Sequence, residues 1–461
     1  MFDLLIRNVD AILPGTGRTQ CSIAVQDCRI AAILAPEADV RASEVVDAKG
    51  IVALPGAIDP HLHLGHGNSI AAPQVPDDSD AETASAAKGG ITTFIPYMLS
   101  TQPYSKVARQ VIDITAAGAR IDFGYHFIVS TEDQLAEVPS YVSEFGAPSF
   151  KIFLNNRGGE GSRLGLPDID DGFLFRLCEL AAANNGMVNP HPENIEIAWV
   201  MRERLKAKDP EGRSGLAGWD DSRPDFIEAE AIQRVAYLGQ QTGVPVYAVH
   251  VSSIKALEAG LLQRQAGSTL YMETCPHYLT HDITWEGGDI AKINPPVRKR
   301  ADCDRLWQAV LNGEIDTIGT DHVHRPLSAK EGGIWAASPG CPGMETMLPV
   351  LLSEGHHKRG LSLERIAQIT SANTARIMGL AHRKGALAVG LDADIALVDL
   401  DKTWQASNAD TVSAAGYTIY DGWTFKGAVT DTFVRGKAVM RDGALLDGCA
   451  GHGTYLERRL G

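Results

Sequence analysis

The sequence contains little cysteine, and no two cysteines have the close spacing that is typical of zinc-binding and redox-active motifs. Its seven cysteines are odd in number, and no two of them form a Cys-x-x-Cys pair. A framework of disulfide bonds is therefore not expected. We expect reduced, mostly buried thiols, as in a cytoplasmic protein.

The chain also lacks a surplus of positive charge. Its formal net charge is −15, spread along the sequence, so neither nucleic acid nor an anionic membrane is suggested as a partner. No apolar run reaches the roughly 18 residues of a membrane-spanning helix. Residues 1–7 lack the apolar core and small-residue cleavage site of a signal peptide. These absences predict a cytoplasmic protein without a membrane partner.

The composition that is present is that of a globular protein, 44% hydrophobic and 21% charged over 461 residues. Short alternating segments separated by turns fill residues 3–52 and recur at 394–440, which predicts a small β sandwich built from both chain ends. Between them, strand and helix patterns alternate. Strands are predicted at 51–54, followed after a Pro-Gly turn by the short apolar pair 57–58, and at 91–97, 121–129, 149–154, 187–189, 246–249, 270–273 and 315–319.

Eight β/α units in series predict an α/β fold, a closed (β/α)8 barrel of the TIM type, with its active site at the C-terminal ends of the strands. We therefore predict two domains. Residues 1–53 and 385–461 would form the composite β-sandwich domain, and residues 54–384 would form the barrel domain.

The stretch Leu54-Pro-Gly-Ala-Ile-Asp-Pro-His-Leu-His63 is the most informative in the chain. Alternate side chains of an extended chain point the same way, so His61 and His63 face one side. Two imidazoles converging on one point suit a divalent metal such as zinc. Taken alone, a His-x-His pair is more often two polar loop residues.

Further polar residues fall in or at the ends of predicted strands, namely Lys151, His191, His250 and Asp321. Singly, His250 would more often be a buried histidine, and Asp321 a helix cap or loop acid. Lys151 is different, because its apolar strand should depress its pKa. A neutral amine there can capture carbon dioxide as a carbamate that bridges two metals, although an ion pair with Asp321 is the alternative. Together the six residues predict a metal site.

These residues carry a resemblance to the amidohydrolase superfamily, specifically to its cyclic amidase branch of dihydropyrimidinases, hydantoinases, allantoinases and dihydroorotases. The resemblance covers nearly the whole chain. Its motifs include Pro55-Gly-Ala-Ile-Asp-Pro-His-Leu-His, Phe150-Lys-Ile-Phe, His191-Pro-Glu-Asn, Val249-His-Val-Ser-Ser, Glu273-Thr-Cys-Pro-His-Tyr-Leu and Gly319-Thr-Asp-His.

The resemblance implies two divalent metal ions, usually zinc. His61, His63 and Asp321 would bind one ion, His191 and His250 would bind the other, and carboxylated Lys151 would bridge them. It also implies hydrolysis of a C–N bond in a cyclic amide, imide or ureide. A hydroxide shared by the metals would attack, with Asp321 as general acid and base.

The identity of the cyclic substrate is left undetermined, because the sequence departs from that of its relatives at several substrate-binding positions. Leu64 stands where dihydroorotases commonly carry a carboxylate-binding arginine, and Pro339 stands where dihydropyrimidinases and hydantoinases carry an asparagine. Asn156 replaces their oxyanion tyrosine and is either a substrate-binding amide or a turn residue. Asn294 occupies a position whose backbone contacts the ring amide in relatives. The arginine-bearing loop at 155–165 is either a substrate gate or a solvated surface loop.

Several alternatives remain at this stage. The chain could be an allantoinase-like or dihydroorotase-like enzyme, or a non-catalytic scaffold related to dihydropyrimidinase, although scaffolds have lost metal ligands that this sequence keeps. Deamination and phosphoester hydrolysis occur in the same superfamily, but deaminases need no bridging lysine. The expected partners are a small cyclic amide or ureide and further copies of the chain, in a dimer or tetramer.

Overall fold

The strands predicted along the middle of the chain close into a parallel barrel, which confirms the predicted fold class. The computed structural model describes residues 1–461, except for the side chain of Arg163. The barrel strands, in order from first to eighth, are Ala57–His63, Ile91–Met98, Asp122–Phe123 with His126–Ile128, Ser149–Phe153, Met187–His191, Val246–Ala248, Leu270–Thr274, and Thr317–Ile318 with His322–Val323.

The eighth strand closes the barrel in two pieces. Thr317–Ile318 pairs with the seventh strand, and His322–Val323 pairs in parallel with the first. Between the pieces, the main chain of Asp321 adopts a positive φ of 48°. This break brings the end of the eighth strand beside the two histidines of the first.

The α-helices between and around the strands agree with the predicted alternation. They are Pro76–Lys88, Tyr104–Gly118, Glu132–Ala136, Val138–Phe145, Asp171–Ala183, Ile195–Lys208, Gly215–Ser222, Asp225–Thr242, Ile254–Gln265, Pro276–Thr280, Arg300–Asn312, Met347–Val350, Leu363–Ala367 and Asn373–Ile377. Local capping fixes several of their starts. The side chain of Asp170 accepts a hydrogen bond from Phe173 N, and that of Ser253 accepts one from Ala256 N.

Both chain ends contribute to a second, nine-stranded sheet, as predicted. Its strands are Phe2–Leu13, Gly17–Gln26, Arg29–Leu34, Ala42–Asp47, Val52–Pro55, Ile395–Gln405, Thr424–Val434, Lys437–Arg441 and Ala444–Leu445. Apolar side chains of these strands, among them Ile6, Ile23 and Phe433, form a core cluster of their own.

One strand assignment differs from the prediction. The apolar run at 51–54 was expected to begin the first barrel strand, but Val52–Pro55 pairs with Phe2–Leu13 and Ile395–Gln405 in the second sheet. The barrel starts at Ala57, beyond Gly56, where an added Cβ would lie 2.2 Å from the Thr92 hydroxyl. Both segments are apolar and buried, so hydrophobicity alone could not separate them.

All seven cysteines are free thiols, and six of them are buried. Among the described residues, no helix combines the length and the apolar character needed to cross a bilayer.

Candidate metal centre

The first and eighth barrel strands bring three predicted ligands together. Nε2 of His61 lies 3.1 Å from Oδ1 of Asp321, and Nε2 of His63 lies 3.6 Å from the same oxygen. One ligand atom from each residue falls within 4.8 Å of the other two, and all three side chains are buried. Such a spacing would let the three groups share one cation.

The fifth and sixth strands supply a second group. Nδ1 of His191 and Nε2 of His250 are 2.9 Å apart, and the rings of His250 and His61 are 5.3 Å apart between centroids. The two groups therefore adjoin each other at the mouth of the barrel. His250, like Asp321, has a positive φ, here 43°, a conformation that is costly for a residue other than glycine and clusters at functional sites.

Lys151, on the fourth strand, lies against aromatic rings rather than beside an acid. Its Nζ is 4.5 Å from the centroid of the Tyr97 ring and 5.5 Å from that of Phe153. Within the described part of the chain, its amine joins no carboxylate in an ion pair. Burial lowers the pKa of Lys151 to about 8, against the opposing charges of Asp321 and Glu273. The alternative of a Lys151–Asp321 ion pair is therefore not observed.

The separations between these ligand atoms suit ions of the zinc type. Ligand atoms bound at about 2.0 to 2.1 Å to one tetrahedral zinc are separated by roughly 3.3 Å. The observed separations of 2.9 Å, 3.1 Å and 3.6 Å lie around that value. Imidazole nitrogens and a carboxylate are also the donors that zinc accepts.

Electrostatics keep most of these groups in the form that metal binding needs. Burial lowers the pKa of His63 to about 3 and that of His250 well below its usual value. Burial opposes ionisation of Asp321, but the neighbouring charge of His61 holds its pKa well below the usual range. Neutral imidazoles of His63 and His250 and an ionised carboxylate of Asp321 are therefore available at neutral pH. The pKa of His61 is raised instead, because the charges of Glu273 and Asp321 outweigh the desolvation of its buried ring.

Carboxylates behind the histidines orient them, and sequence reasoning assigned these carboxylates no role. Nδ1 of His61 bonds Oε1 of Glu273 at 2.6 Å, so its Nε2 faces the cavity. Nε2 of His191 bonds Oε2 of Glu193 at 2.7 Å, and Arg223 donates to the same carboxylate at 2.7 Å. Such outer partners fix the tautomer of a ligand and raise its basicity.

Asp59 ties the first strand to the eighth. Its carboxylate accepts hydrogen bonds from the main-chain N of His61 at 3.2 Å and of Thr320 at 3.0 Å, and from the Thr320 hydroxyl at 2.5 Å. Asp321 N in turn donates to His61 O at 2.7 Å. The ligands on the two strands are thus held in one rigid unit. An acid within an apolar strand was the signal that could have revealed Asp59 and Glu273.

The predicted substrate-binding residues line the same cavity, of about 110 Å³. Asn156 is buried there, and Oδ1 of Asn294 is buried without a hydrogen-bond partner among the described residues. All eight predicted site residues line this cavity. Their assignment as ligands and substrate contacts stays a prediction.

The loop at 155–165 contributes Asn155, Asn156, Glu160 and Leu164 to the cavity. Its arginine Arg157 is ion-paired with Asp171 and, at 3.6 Å, with Glu196. The second arginine of the proposed gate, Arg163, has its side chain outside the described part of the structure.

The role of Glu273 is testable. We expect Glu273→Gln to weaken zinc binding by about 10- to 100-fold, because a neutral amide no longer supports the Nδ1–H of His61. Competition for zinc with a coloured chelator measures this. Glu228→Gln is the matched control, since Glu228 is equally buried but bonds Ser252 and Arg298. Zinc affinity unchanged in Glu273→Gln would contradict the role.

Comparison with known proteins identifies a family model and relatives that the chain resembles. Residues 223–439 match the model of the amidohydrolase family. The chain is 32% identical over 467 residues to the L-hydantoinase of Paenarthrobacter aurescens, covering 100% of this chain and 99% of the relative. It is also 32% identical over 447 residues to the allantoinase of Salmonella choleraesuis, covering 95% of each chain.

Solved structures of similar proteins share the fold of this chain. The crystal structure of dihydropyrimidinase from Brevibacillus agri superposes with a TM-score of 0.89 at 29% sequence identity. The match covers 100% of this chain and 99% of that one. The likeness therefore extends over both the barrel and the second sheet.

Proposed function

Because the chain belongs to the amidohydrolase family, we propose that it is a metal-dependent hydrolase that opens a C–N bond in a cyclic amide, imide or ureide. The observation that carries the proposal is the meeting of two ligand groups and a buried lysine in one cavity. The hydantoinase and allantoinase relatives, whose names denote enzymes acting on cyclic ureides, support this substrate class.

Each of the buried residues has a proposed role in holding the metal ions. His61, His63 and Asp321 would hold one divalent ion, His191 and His250 would hold the second, and Lys151, once carboxylated, would offer an oxygen to each. Bound there, two divalent ions would supply Lewis acidity and lower the pKa of a water molecule. Glu273 and Glu193 would keep the imidazoles in the tautomer that directs a lone pair toward the ions.

We assign the proton transfers to Asp321. Its side chain lines the cavity beside His61 and His63, and its low pKa keeps it ionised at neutral pH. As general base it takes a proton from the attacking water, and as general acid it returns that proton to the ring nitrogen as the C–N bond breaks. The buried amide oxygen of Asn294 would accept a hydrogen bond from a ring N–H. Asn156 is the second assigned substrate contact.

Removal of metal tests the proposal. We expect chelation to abolish ring opening of a hydantoin or dihydrouracil, and zinc, manganese or cobalt to restore it. The reason is that the proposed reaction depends on the ions that the ligand groups would hold. His250→Ala should lower bound metal, measured by elemental analysis. His356→Ala is the control, since its ring bonds Leu361 O outside the cavity lining. Full activity in a metal-free sample would overturn the proposal.

Product analysis distinguishes ring opening from deamination and from the absence of catalysis. Ring opening of a hydantoin yields an N-carbamoyl amino acid without ammonia, whereas a deaminase releases ammonia. A non-catalytic scaffold would neither turn over substrate nor bind two equivalents of metal.

The proposal includes a homo-oligomer, a dimer or tetramer, located in the cytoplasm. Large apolar side chains are exposed on neighbouring outer helices, with Phe226 and Tyr237 on Asp225–Thr242 and Leu262 on Ile254–Gln265. Such side chains favour burial between subunits. Sedimentation of the purified chain measures the assembly.

A further inference from the structure

A second cavity, of about 200 Å³, lies between the barrel and the second sheet. The helix Pro76–Lys88 and the segment 342–349 contribute residues to its barrel side, and the strands Ile395–Gln405 and Thr424–Val434 contribute residues to its sheet side. Of the described residues that line it, none also lines the metal cavity. The two cavities are therefore separate compartments.

Two buried hydroxyl groups in the lining of this second cavity lack hydrogen-bond partners. Ser85 and Tyr417 are each only 1% exposed, and neither hydroxyl forms a hydrogen bond with any other described residue. An unsatisfied buried hydroxyl costs free energy, so such groups normally have a protein, water or ligand partner. Burial raises the pKa of Tyr417, so its phenol keeps the proton that it can donate. Because both groups line one cavity, a single small molecule can satisfy both.

The rest of the lining suits an uncharged ring. Its apolar wall consists of Pro342, Pro349, Trp404, Ala428, Val429 and Met440. Its charged residues are two lysines and two acids, whose charges cancel, namely Lys88, Lys402, Glu345 and Asp410. Nζ of Lys88 lies 3.1 Å from Oε2 of Glu345. An engineered apolar cavity of about 150 Å³ binds benzene, so a six-membered ring with one small polar group matches this cavity in size.

We propose that the second cavity is a ligand site for a small, uncharged, planar ring that carries one hydrogen-bonding group, such as an amide. The hydroxyls of Ser85 and Tyr417 bind the polar group, since a hydroxyl can both donate and accept a hydrogen bond. The ring packs against the half-buried Trp404 and the buried Met440. This site is independent of the proposed ring-opening reaction.

The segment 339–343 joins the second cavity to the metal cavity. Its first two residues line the metal cavity, and its last two line the second cavity. Gly343 N donates to Nδ1 of His322 at 3.1 Å, and His322 directly follows Asp321. A ligand that shifts Gly343 would therefore act on the strand that carries Asp321. We expect an occupied second cavity to change kcat without competing with substrate, a coupling that, unlike the site itself, rests on the proposed function.

Benzamide and toluene are probes of similar shape, of which only benzamide has a hydrogen-bonding group. Calorimetric titration into the metal-loaded protein should show benzamide binding with a Kd of about 1 mM or tighter, a reasonable scale for so small a ligand. Tyr417→Phe and Ser85→Ala should each weaken benzamide binding by about fivefold, the scale of one neutral hydrogen bond. The affinity for toluene should be the same in Tyr417→Phe as in the parent protein.

Two control variants locate the bound benzamide. Asn156→Ala alters the metal cavity and should leave benzamide affinity unchanged, whereas Tyr237→Phe removes a phenol from an exposed residue on an outer helix and should also have no effect. Melting temperature is measured for every variant without ligand. Because Tyr417→Phe removes an unpartnered hydroxyl, this variant should melt no lower than the parent protein, which separates lost binding from damage to the fold.

Each outcome decides one of the two claims. Failure of benzamide to bind at millimolar concentration, equal affinity in the parent and both hydroxyl variants, or a loss of binding in Asn156→Ala instead would overturn the site. Binding that depends on Tyr417 and Ser85 but leaves kcat for hydantoin opening unchanged would support the site and overturn the coupling. If no cyclic amide is opened at all, the proposed function falls, while the titrations still decide whether the site exists.

Discussion

Replacing Lys151 by alanine is expected to cost the protein most of its bound metal and its ring-opening activity. A lost bridging ligand should weaken metal binding by more than the roughly 100-fold attributed to an outer partner. Lys151→Arg should fare no better, because a guanidinium stays protonated and cannot form a carbamate. Elemental analysis and turnover of a hydantoin measure both effects.

The carbamate makes a further prediction about pH. The Lys151 amine attacks the carbon of carbon dioxide, a C–N bond forms, one carbonyl electron pair moves to oxygen and the nitrogen releases a proton. Only the neutral amine can do this. Since burial lowers the pKa of Lys151 to about 8, reconstitution of metal-free protein with zinc, at a constant concentration of dissolved carbon dioxide, should speed up as pH rises and level off above about pH 8.

Chemical rescue separates a bridge from a merely structural lysine. Acetate can enter the space left in Lys151→Ala and offer two oxygens, so it should restore part of the metal and activity there and none in Lys151→Arg. Lys330→Ala is a matched control, since burial also lowers the pKa of Lys330 to about 8, while its amine bonds Lys292 O and Ser338 O. Normal metal content in Lys151→Ala would exclude the bridge.

Much of the fold could be predicted because each barrel strand is a short apolar run, and an amphipathic helix separates it from the next strand. The runs at 149–154 and 270–273 lie within one residue of the strands Ser149–Phe153 and Leu270–Thr274. The prediction failed at the run 51–54, because Val52–Pro55 is as fully buried in the second sheet as it would be in the barrel. The choice between the sheets depends on pairing with Ile395–Gln405, far away in sequence.

The candidate ligands could be predicted for a related reason. A polar residue at the end of an apolar strand has few structural uses, and parallel strands of a barrel end at one rim. Glu273 could not be paired with its histidine from the sequence, because His61 and Glu273 are 212 positions apart.

Asp321→Asn should separate metal binding from proton transfer. The amide keeps an oxygen that can coordinate a metal, but it cannot take up a proton at ordinary pH. We therefore expect metal content to be largely retained while turnover falls by about 10²-fold or more, the usual scale for loss of a general base. Elemental analysis and the rate of hydantoin opening are measured on the same sample.

The two histidines that could replace Asp321 as the base are engaged elsewhere, which sharpens this test. Nε2 of His322 lies 2.8 Å from Glu82, and its Nδ1 accepts a hydrogen bond from Gly343 N at 3.1 Å. His66 bonds Asp78 at 3.0 Å. The controls His322→Gln and His66→Gln should therefore lose far less activity than Asp321→Asn. If Asp321→Asn kept its metal and turned over normally while either control failed, the proton transfer would belong to that histidine.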